Sequence, residues 1–231
     1  MNDKGLILVV EDDLGIQKGL RIFLENAGYL VDLANDGFEG VLKAQQHQYS
    51  LILLDVLMPK MNGYEVLRLL RETSTVPIIM LTALDGEGDE LKGFELLADD
   101  YISKPFSMEI VLKRIEAILR RNTIAKAVKA QTSRILTYKD MSINPDNLEV
   151  KVAGKRISLT NTEYELLELL ILNQSKMFTR EALLNQVWGE DFFGSEHVVS
   201  VHIGNLRKKI NRDYIRTIHG KGYQIDCEDE T

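Results

Sequence analysis

Between residues 6 and 120 the chain repeats one pattern five times: a short, almost continuous apolar run followed by an amphipathic stretch. The runs are LILVV (6–10), YLVDLA (29–34), LILLD (51–55), PIIML (77–81) and the weaker DYIS (100–103). The stretches after them, Ile16–Asn26, Gly37–Gln46, Gly63–Arg71, Gly88–Leu97 and Ser107–Arg120, carry apolar residues at a helical period. Strands apolar at nearly every position suit a sheet covered on both faces, and strand–helix alternation joins such strands in parallel. The pattern predicts an α/β fold, a doubly wound five-stranded parallel sheet.

Beyond it the pattern changes. RNTIAKAVKAQTS (121–133) has neither strong apolar periodicity nor turn chemistry and reads as a linker, partly helical at its start. Short alternating strands follow around Ile135–Tyr138, Met141–Ile143, Glu149–Val152 and Arg156–Ser158, with turns at Asp146-Asn147 and Ala153-Gly154. Thr160-Asn161-Thr162-Glu163 caps a helix to about Leu172. A second helix opens at Thr179-Arg180-Glu181 and ends near Trp188-Gly189, and Ser195–Ile210 makes a third. TIHGKGYQI (217–225) closes the chain as a hairpin turning at His219–Gly222. The predicted division is a first unit over 1–121, a linker over 122–133, an α+β unit over 134–227 and an acidic tail over 228–231.

Composition excludes several classes. With 45% hydrophobic and 27% charged residues, the 231-residue chain falls within the globular norm. Its longest apolar runs are far too short to span a membrane, and Glu11-Asp12-Asp13 comes too early for a signal-peptide core. The single cysteine, Cys227, fits a reducing cytoplasm, and four scattered histidines lack the spacing of a zinc site. The net charge of −7 argues against nucleic acid until its distribution is followed. Arg207, Lys208, Lys209, Arg212, Arg216 and Lys221 cluster against Asp213 alone, and the tail Asp226, Glu228, Asp229 and Glu230 hides this patch in the total.

In an open parallel sheet, ligands bind outside the carboxyl ends of the strands. There the first unit places Glu11, Asp12 and Asp13, then Asp55, Thr82 and Lys104-Pro105. Hard carboxylate oxygens suit Mg2+, and an aspartate beside a cation and a lysine can itself accept a phosphoryl group. Singly, each residue has a plainer role: Asp12, Asp13 or Thr82 as a helix cap, Lys104 as a solvated cation. Together at four successive strand ends they point to phosphoryl chemistry.

VVEDD, LLDVLMPKMNGYEVL, IIMLTA and ADDYISKPF resemble the receiver domain of two-component response regulators over residues 5–121. The resemblance implies the flavodoxin-like strand order 2-1-3-4-5 and phosphorylation of Asp55 by a histidine kinase. It implies Mg2+ bound by Asp12, Asp55 and the backbone carbonyl of Leu57, with Glu11 reaching it through water. Thr82 and Lys104 would contact the phosphoryl oxygens, Tyr101 would turn inward on activation, and Lys104-Pro105 would be cis. Family members pair through the fourth helix, fifth strand and fifth helix, which here puts Glu90, Leu91, Phe94, Asp100, Ile110, Leu112 and Arg114 on the dimer face. Asp100 and Arg114 keep one opposite-charge pair of that face. Glu90 stands where a basic residue is usual, Ile110 where its acidic partner would be, and Glu116 is acidic opposite Glu95. Two readings stay open: like charges weaken or replace the usual dimer, or Leu91, Phe94 and Leu112 carry it by apolar packing. Leu57 and Leu84, two residues after Asp55 and Thr82, cannot hold a hydrolytic water, which predicts slow loss of the phosphoryl group.

In Ser195–Ile210, Val199, Ile203, Leu206 and Ile210 share one helical face, and His197, Ser200, Val201, Gly204, Asn205 and Lys208 lie opposite. That outer face is small, polar and increasingly basic, and fits a DNA major groove, with Asn205 able to read adenine and Val201 a thymine methyl. Arg207, Lys209 and Arg212 would meet phosphates, and Lys221 on its thin hairpin would enter a minor groove. An ordinary surface helix beside a solvated turn is the plain alternative. LTNTEYELLELLILN, EALLNQVWG, VSVHIGNLRKKI and TIHGKGYQI resemble the winged-helix effector of the OmpR/PhoB family over about 135–225. The resemblance implies sequence-specific binding of promoter DNA, with 195–210 as recognition helix and 217–225 as wing. His197, Gly204, Asn205 and His219 replace residues that are usually basic or bulkier, which leaves the recognised sequence open. Gly189–Gly194, with Phe192 and Phe193, lies where the family contacts RNA polymerase; packing of those phenylalanines in the core is the alternative.

The expectation is a cytoplasmic, phosphorylation-controlled transcription regulator that dimerises on tandem DNA sites, and not an enzyme. A Mg2+ phosphohydrolase would need an acid–base carboxylate beside Asp55, where Val56 and Leu57 stand. A regulator working without phosphorylation, with an altered dimer face, is the second alternative.

Overall fold

Every residue of the strand Leu51–Asp55 (β3) and of Ile78–Thr82 (β4) is buried, because helices cover both faces of the sheet they centre. The computed structural model describes residues 4–82, 98–128, 135–145, 147–189, 192, 195–210 and 214–226. These form two compact units, Met1–Leu119 and Arg120–Thr231. Among the described residues no helix is long and apolar enough to cross a membrane.

In the first unit, Leu6–Val10 (β1), Leu14–Asn26 (α1), Leu30–Ala34 (β2) and Gly37–Gln46 (α2) precede β3. Gly63–Arg71 (α3), β4, Asp100–Ser103 (β5) and Met108–Val128 (α4) follow it. All strand pairs are parallel, in the order β2-β1-β3-β4-β5. Val10 pairs with Ala34 and with Leu54, Asp55 with Leu81, and Thr82 with Ser103, so the carboxyl ends of all five strands line up. The candidate helix Gly88–Leu97 lies outside the described residues. The last helix does not stop near Arg120 but continues to Val128, through half of the segment read as a linker. That segment has no Pro or Gly to end it, and its alanines favour helix.

One buried ion pair was not legible in sequence. Arg71 donates to Asp99 at 2.8 Å and to the Val76 carbonyl at 2.7 Å, and Asp99 also accepts the Ile78 amide at 2.9 Å.

The second unit opens with an antiparallel sheet of Leu136–Tyr138 (β6), Met141–Asn144 (β7), Glu149–Val152 (β8) and Lys155–Ile157 (β9). Ala153 and Gly154, at φ 50° and 76°, turn β8 into β9. Three helices follow, Asn161–Leu172 (α5), Arg180–Val187 (α6) and His197–Ile210 (α7), then the hairpin Arg216–Ile218 (β10) and Gly222–Gln224 (β11). Thr160 and Glu163 form a reciprocal capping box on α5, and Thr179 caps α6. Phe178, just before α6, exchanges both backbone hydrogen bonds with Tyr223 at 2.9 Å. Beside this bridge a Cβ on Gly222 would stand 1.9 Å from the Phe178 carbonyl oxygen, so only glycine permits the contact.

Candidate functional site

The aligned strand ends bring Glu11, Asp12 and Asp55 together, each with a carboxylate oxygen within 4.8 Å of the others. Glu11 and Asp55 are buried, and Asp12 faces solvent. Asp13, equally eligible by sequence, is the cap of α1, accepting the amides of Gly15 at 2.8 Å and Ile16 at 2.9 Å. Those two bonds hold its carboxyl below the usual range.

Lys104 reaches this cluster from just after β5, and its peptide bond to Pro105 is cis. Its ammonium lies 2.8 and 3.1 Å from the Glu11 oxygens and 3.0 Å from Asp55 Oδ2. Burial pushes Glu11 up to about 6; its bond to Lys104 opposes the rise, and the nearby Asp55 charge adds to it. For Lys104, burial lowers the ammonium, but the bonds to Glu11 and Asp55 outweigh it and hold it above its ordinary value. Among the described residues the cluster thus has three carboxylates and the Lys104 ammonium, which is bonded to two of them. The deficit of positive charge and the all-oxygen donor set fit Mg2+.

The other expected residues lie on or just after β3, β4 and β5. Thr82 is buried at the end of β4, and Tyr101 is buried on β5. The amide of Leu57 lies 3.4 Å from Asp55 Oδ1, while its side chain is exposed.

Two supports were not anticipated. Gln17, buried on α1, directs Nε2 to the Glu11 carbonyl at 3.1 Å, the Ala34 carbonyl at 3.2 Å and Asn35 Oδ1 at 3.2 Å. It ties the end of β1 to the end of β2. Gly63 opens α3 so close to β3 that a Cβ would stand 2.2 Å from the Asp55 carbonyl oxygen. Gly63 directly follows Asn62, whose side chain caps α3 by accepting the Glu65 amide at 3.0 Å, and an asparagine before a helical period is a signal that the sequence carries; a glutamine in an amphipathic helix is not.

Of the expected dimer face, Glu90, Leu91 and Phe94 lie outside the described residues, as do Leu84 and Glu95. Asp100 and Arg114 pair within the chain at 3.3 Å. Ile110 is exposed, and Leu112 packs partly against the core of the first unit. Glu116, read as facing another acid, has a cation of its own chain, Lys4 at 3.2 Å. Sequence reading had no means of bringing together groups so far apart.

On α7 the inward face is wider than its period suggested, since Val198 and His202 are buried along with Val199, Ile203, Leu206 and Ile210. His202 lies against Trp188, ring centres 5.4 Å apart. His197 and Lys208 are exposed, Ser200, Val201, Gly204 and Asn205 are half-buried, and Lys221 is exposed at the hairpin turn. Asn205 has Nδ2 buried and Oδ1 3.4 Å from Lys208 Nζ, so reading adenine with both atoms requires the amide to rotate outward.

Two of the cations expected to meet phosphates, Arg207 and Lys209, are bonded within their own unit. Arg207 donates Nε to the Ile215 carbonyl at 3.1 Å and Nη2 to Thr217 Oγ1 at 2.9 Å, with a further short bond from Nη2 to the same carbonyl. Lys209 bonds the buried Glu163 at 2.6 Å. Both turn back to their own unit because a buried carboxylate and open carbonyls are nearer partners than solvent. Arg212 and Phe193 lie outside the described residues, and Phe192 packs on Trp188 at 6.0 Å between ring centres.

Residues 7–116 match the family model for the response regulator receiver domain, and 154–225 the model for the C-terminal domain of transcriptional regulatory proteins. The chain is 40% identical to the regulatory protein VanRB of Enterococcus faecalis (strain ATCC 700802 / V583), across 95% of this chain and 97% of that one. The chain is an OmpR/PhoB-type response regulator.

This response regulator is also 41% identical to the transcriptional regulatory protein ResD of Bacillus subtilis (strain 168), over 95% of each chain. Its structure is similar to that of a RitR mutant, with a TM-score of 0.79, 30% identity and coverage of 97% of this chain and 100% of that one. It resembles the response regulator DrrB, a Thermotoga maritima OmpR/PhoB homologue, with a TM-score of 0.50, 35% identity and coverage of 96% and 99%. A receiver domain joined to a DNA-binding domain makes the regulator a transcriptional one, whose partners are a cognate histidine kinase and DNA. Receiver domains bind Mg2+ in an acidic pocket, and Glu11, Asp12 and Asp55 form such a pocket here.

Proposed function

We propose that Asp55 of this response regulator is the phosphoryl acceptor and that its modification controls binding to tandem promoter sites. The observation that carries this is the burial of Asp55 at a strand end, 3.0 Å from the Lys104 ammonium that also holds Glu11. An Asp55 oxygen bonds to phosphorus as the phosphorus–nitrogen bond of a kinase phosphohistidine breaks, and the imidazole leaves. Asp12, Asp55, the Leu57 carbonyl and Glu11 would hold Mg2+, and the ion would supply charge neutralisation for the transferred group. Lys104 and Thr82 then meet the phosphoryl oxygens, and Tyr101 follows Thr82. Because neither Leu57 nor Leu84 can bind a hydrolytic water, the acyl phosphate of purified protein persists for minutes or longer; a half-life of seconds would contradict this.

The shift favours a homodimer, acting in the cytoplasm, whose two α7 helices enter successive major grooves about 10 bp apart. His197, Val201, Gly204 and Asn205 face the bases, Lys208 the phosphates and Lys221 the minor groove, while the Ser200 hydroxyl, expected among the base contacts, is held by Tyr223 and Arg180. RNA polymerase is then recruited or blocked.

The test is incubation with acetyl phosphate and Mg2+, followed by intact mass and sedimentation, for wild type and Asp55→Ala. One phosphoryl group and a dimer are expected for wild type only. An Asp55→Ala protein that binds DNA as tightly as phosphorylated wild type would establish the phosphorylation-independent alternative.

A further inference from the structure

Two side chains on one face of α7, Ser200 and Arg207, are bonded to the β10–β11 hairpin. Arg207 directs two of its nitrogens to Ile215 and Thr217, entering and within β10. Its guanidinium carbon also stands 5.8 Å from the ring centre of Tyr223, the β11 residue paired with Thr217. A second guanidinium, that of Arg180 on α6, stands 5.6 Å from the same ring. The Tyr223 hydroxyl donates to Ser200 Oγ at 3.0 Å, and Arg180 Nε donates to the same oxygen at 3.0 Å. Tyr223 is buried, so these contacts form in a site of low dielectric, where cation–ring attraction is strengthened.

Ser200 and Arg207 are two turns apart, about 10 Å along the helix axis. Fixing a helix at two such points sets both its rotation and its translation against the hairpin. The same fixation sets the distance from the outer face of α7, with Val201, Asn205 and Lys208, to the exposed Lys221 at the hairpin turn.

We infer that Arg207 is a positioning residue for sequence discrimination: it locks the recognition helix and the wing into one rigid reader and does not itself meet a phosphate. The inference rests on the DNA-contact reading above. A lysine would not substitute, because one ammonium lacks the planar fork that reaches a carbonyl and a hydroxyl while lying against a ring.

The test uses the full chain with Mg2+ and beryllofluoride. A duplex enriched by wild-type protein from a randomised pool is compared with a scrambled duplex of equal composition, by fluorescence anisotropy over a salt series. Lys208→Gln is expected to lower the slope of log affinity against log salt by roughly one. Arg207→Gln is expected to leave that slope within about 0.3 of wild type while the preference for the selected duplex falls about tenfold or more. Arg207→Lys should not restore the preference, and amide exchange over 216–218 and 222–224 should quicken in the free Arg207→Gln protein. A slope lowered by about one with the preference intact would make Arg207 a phosphate contact and overturn the inference. Should Arg207→Gln fail to fold, Thr217→Val removes one acceptor and should cut the preference about threefold at constant slope; no change would overturn the inference. A wild type that enriches no duplex would overturn the DNA-contact reading itself, before any variant is made.

Discussion

Gly63 packs its α-carbon against the main-chain carbonyl of Asp55, leaving a β-carbon only 2.2 Å from that oxygen. The first turn of α3 thus sets the backbone of Asp55, the proposed phosphoryl acceptor. Gly63→Ala must displace one or the other, at a cost of about 1–3 kcal/mol. Urea unfolding should show that loss, and the rate of phosphorylation by acetyl phosphate should fall with it.

Glu11 gives the site a pH dependence. Its carboxyl rises from 4.5 to about 6 on folding, chiefly through burial. A raised acid stabilises the fold below its unfolded value, and that contribution, on the order of 2 kcal/mol, is lost as pH climbs through about 6. Mg2+ competes with the same proton, so its affinity should rise between pH 5 and pH 7, as read by Mn2+ paramagnetic resonance with Mg2+ competition. Glu11→Gln should flatten the profile.

Breaking the Arg71–Asp99 pair should cost more than any surface substitution. Both side chains are almost fully buried, and Asp99→Ala leaves a guanidinium without its counter-charge, at about 3–5 kcal/mol in chemical unfolding. A loss below about 1 kcal/mol would mean that bonds such as the one to the Val76 carbonyl suffice.

Lys209→Met should destabilise the second unit by about 2–4 kcal/mol, because Glu163 is wholly buried and Lys209 compensates its charge. The salt slope of DNA binding should stay unchanged. A slope lowered by roughly one would mean that Lys209 leaves Glu163 to meet a phosphate.

Gln17→Leu should weaken Mg2+ binding several-fold while the secondary structure stays intact. The amide it removes bonds the Glu11 carbonyl and the end of β2 at 3.1–3.2 Å. Mn2+ titration and circular dichroism separate the two effects.

The alternation of strands and helices was legible along the chain, and with it the sheet edge that carries Glu11, Asp55, Thr82 and Lys104. Periodicity is a local property, and a parallel sheet sends every strand end to the same side. The helix starts at Thr160 and Thr179 were equally local. Tertiary structure decided the rest. Asp12 and Asp13 are identical as text, and only the backbone path made one a cap and the other a member of the acidic cluster. Arg207, Lys208 and Lys209 form one basic run, but Ile215, Thr217 and Glu163, brought close by folding, claim the outer two and leave Lys208 exposed. A charge is assigned by the partner nearest to it in space, and chain order does not encode that distance.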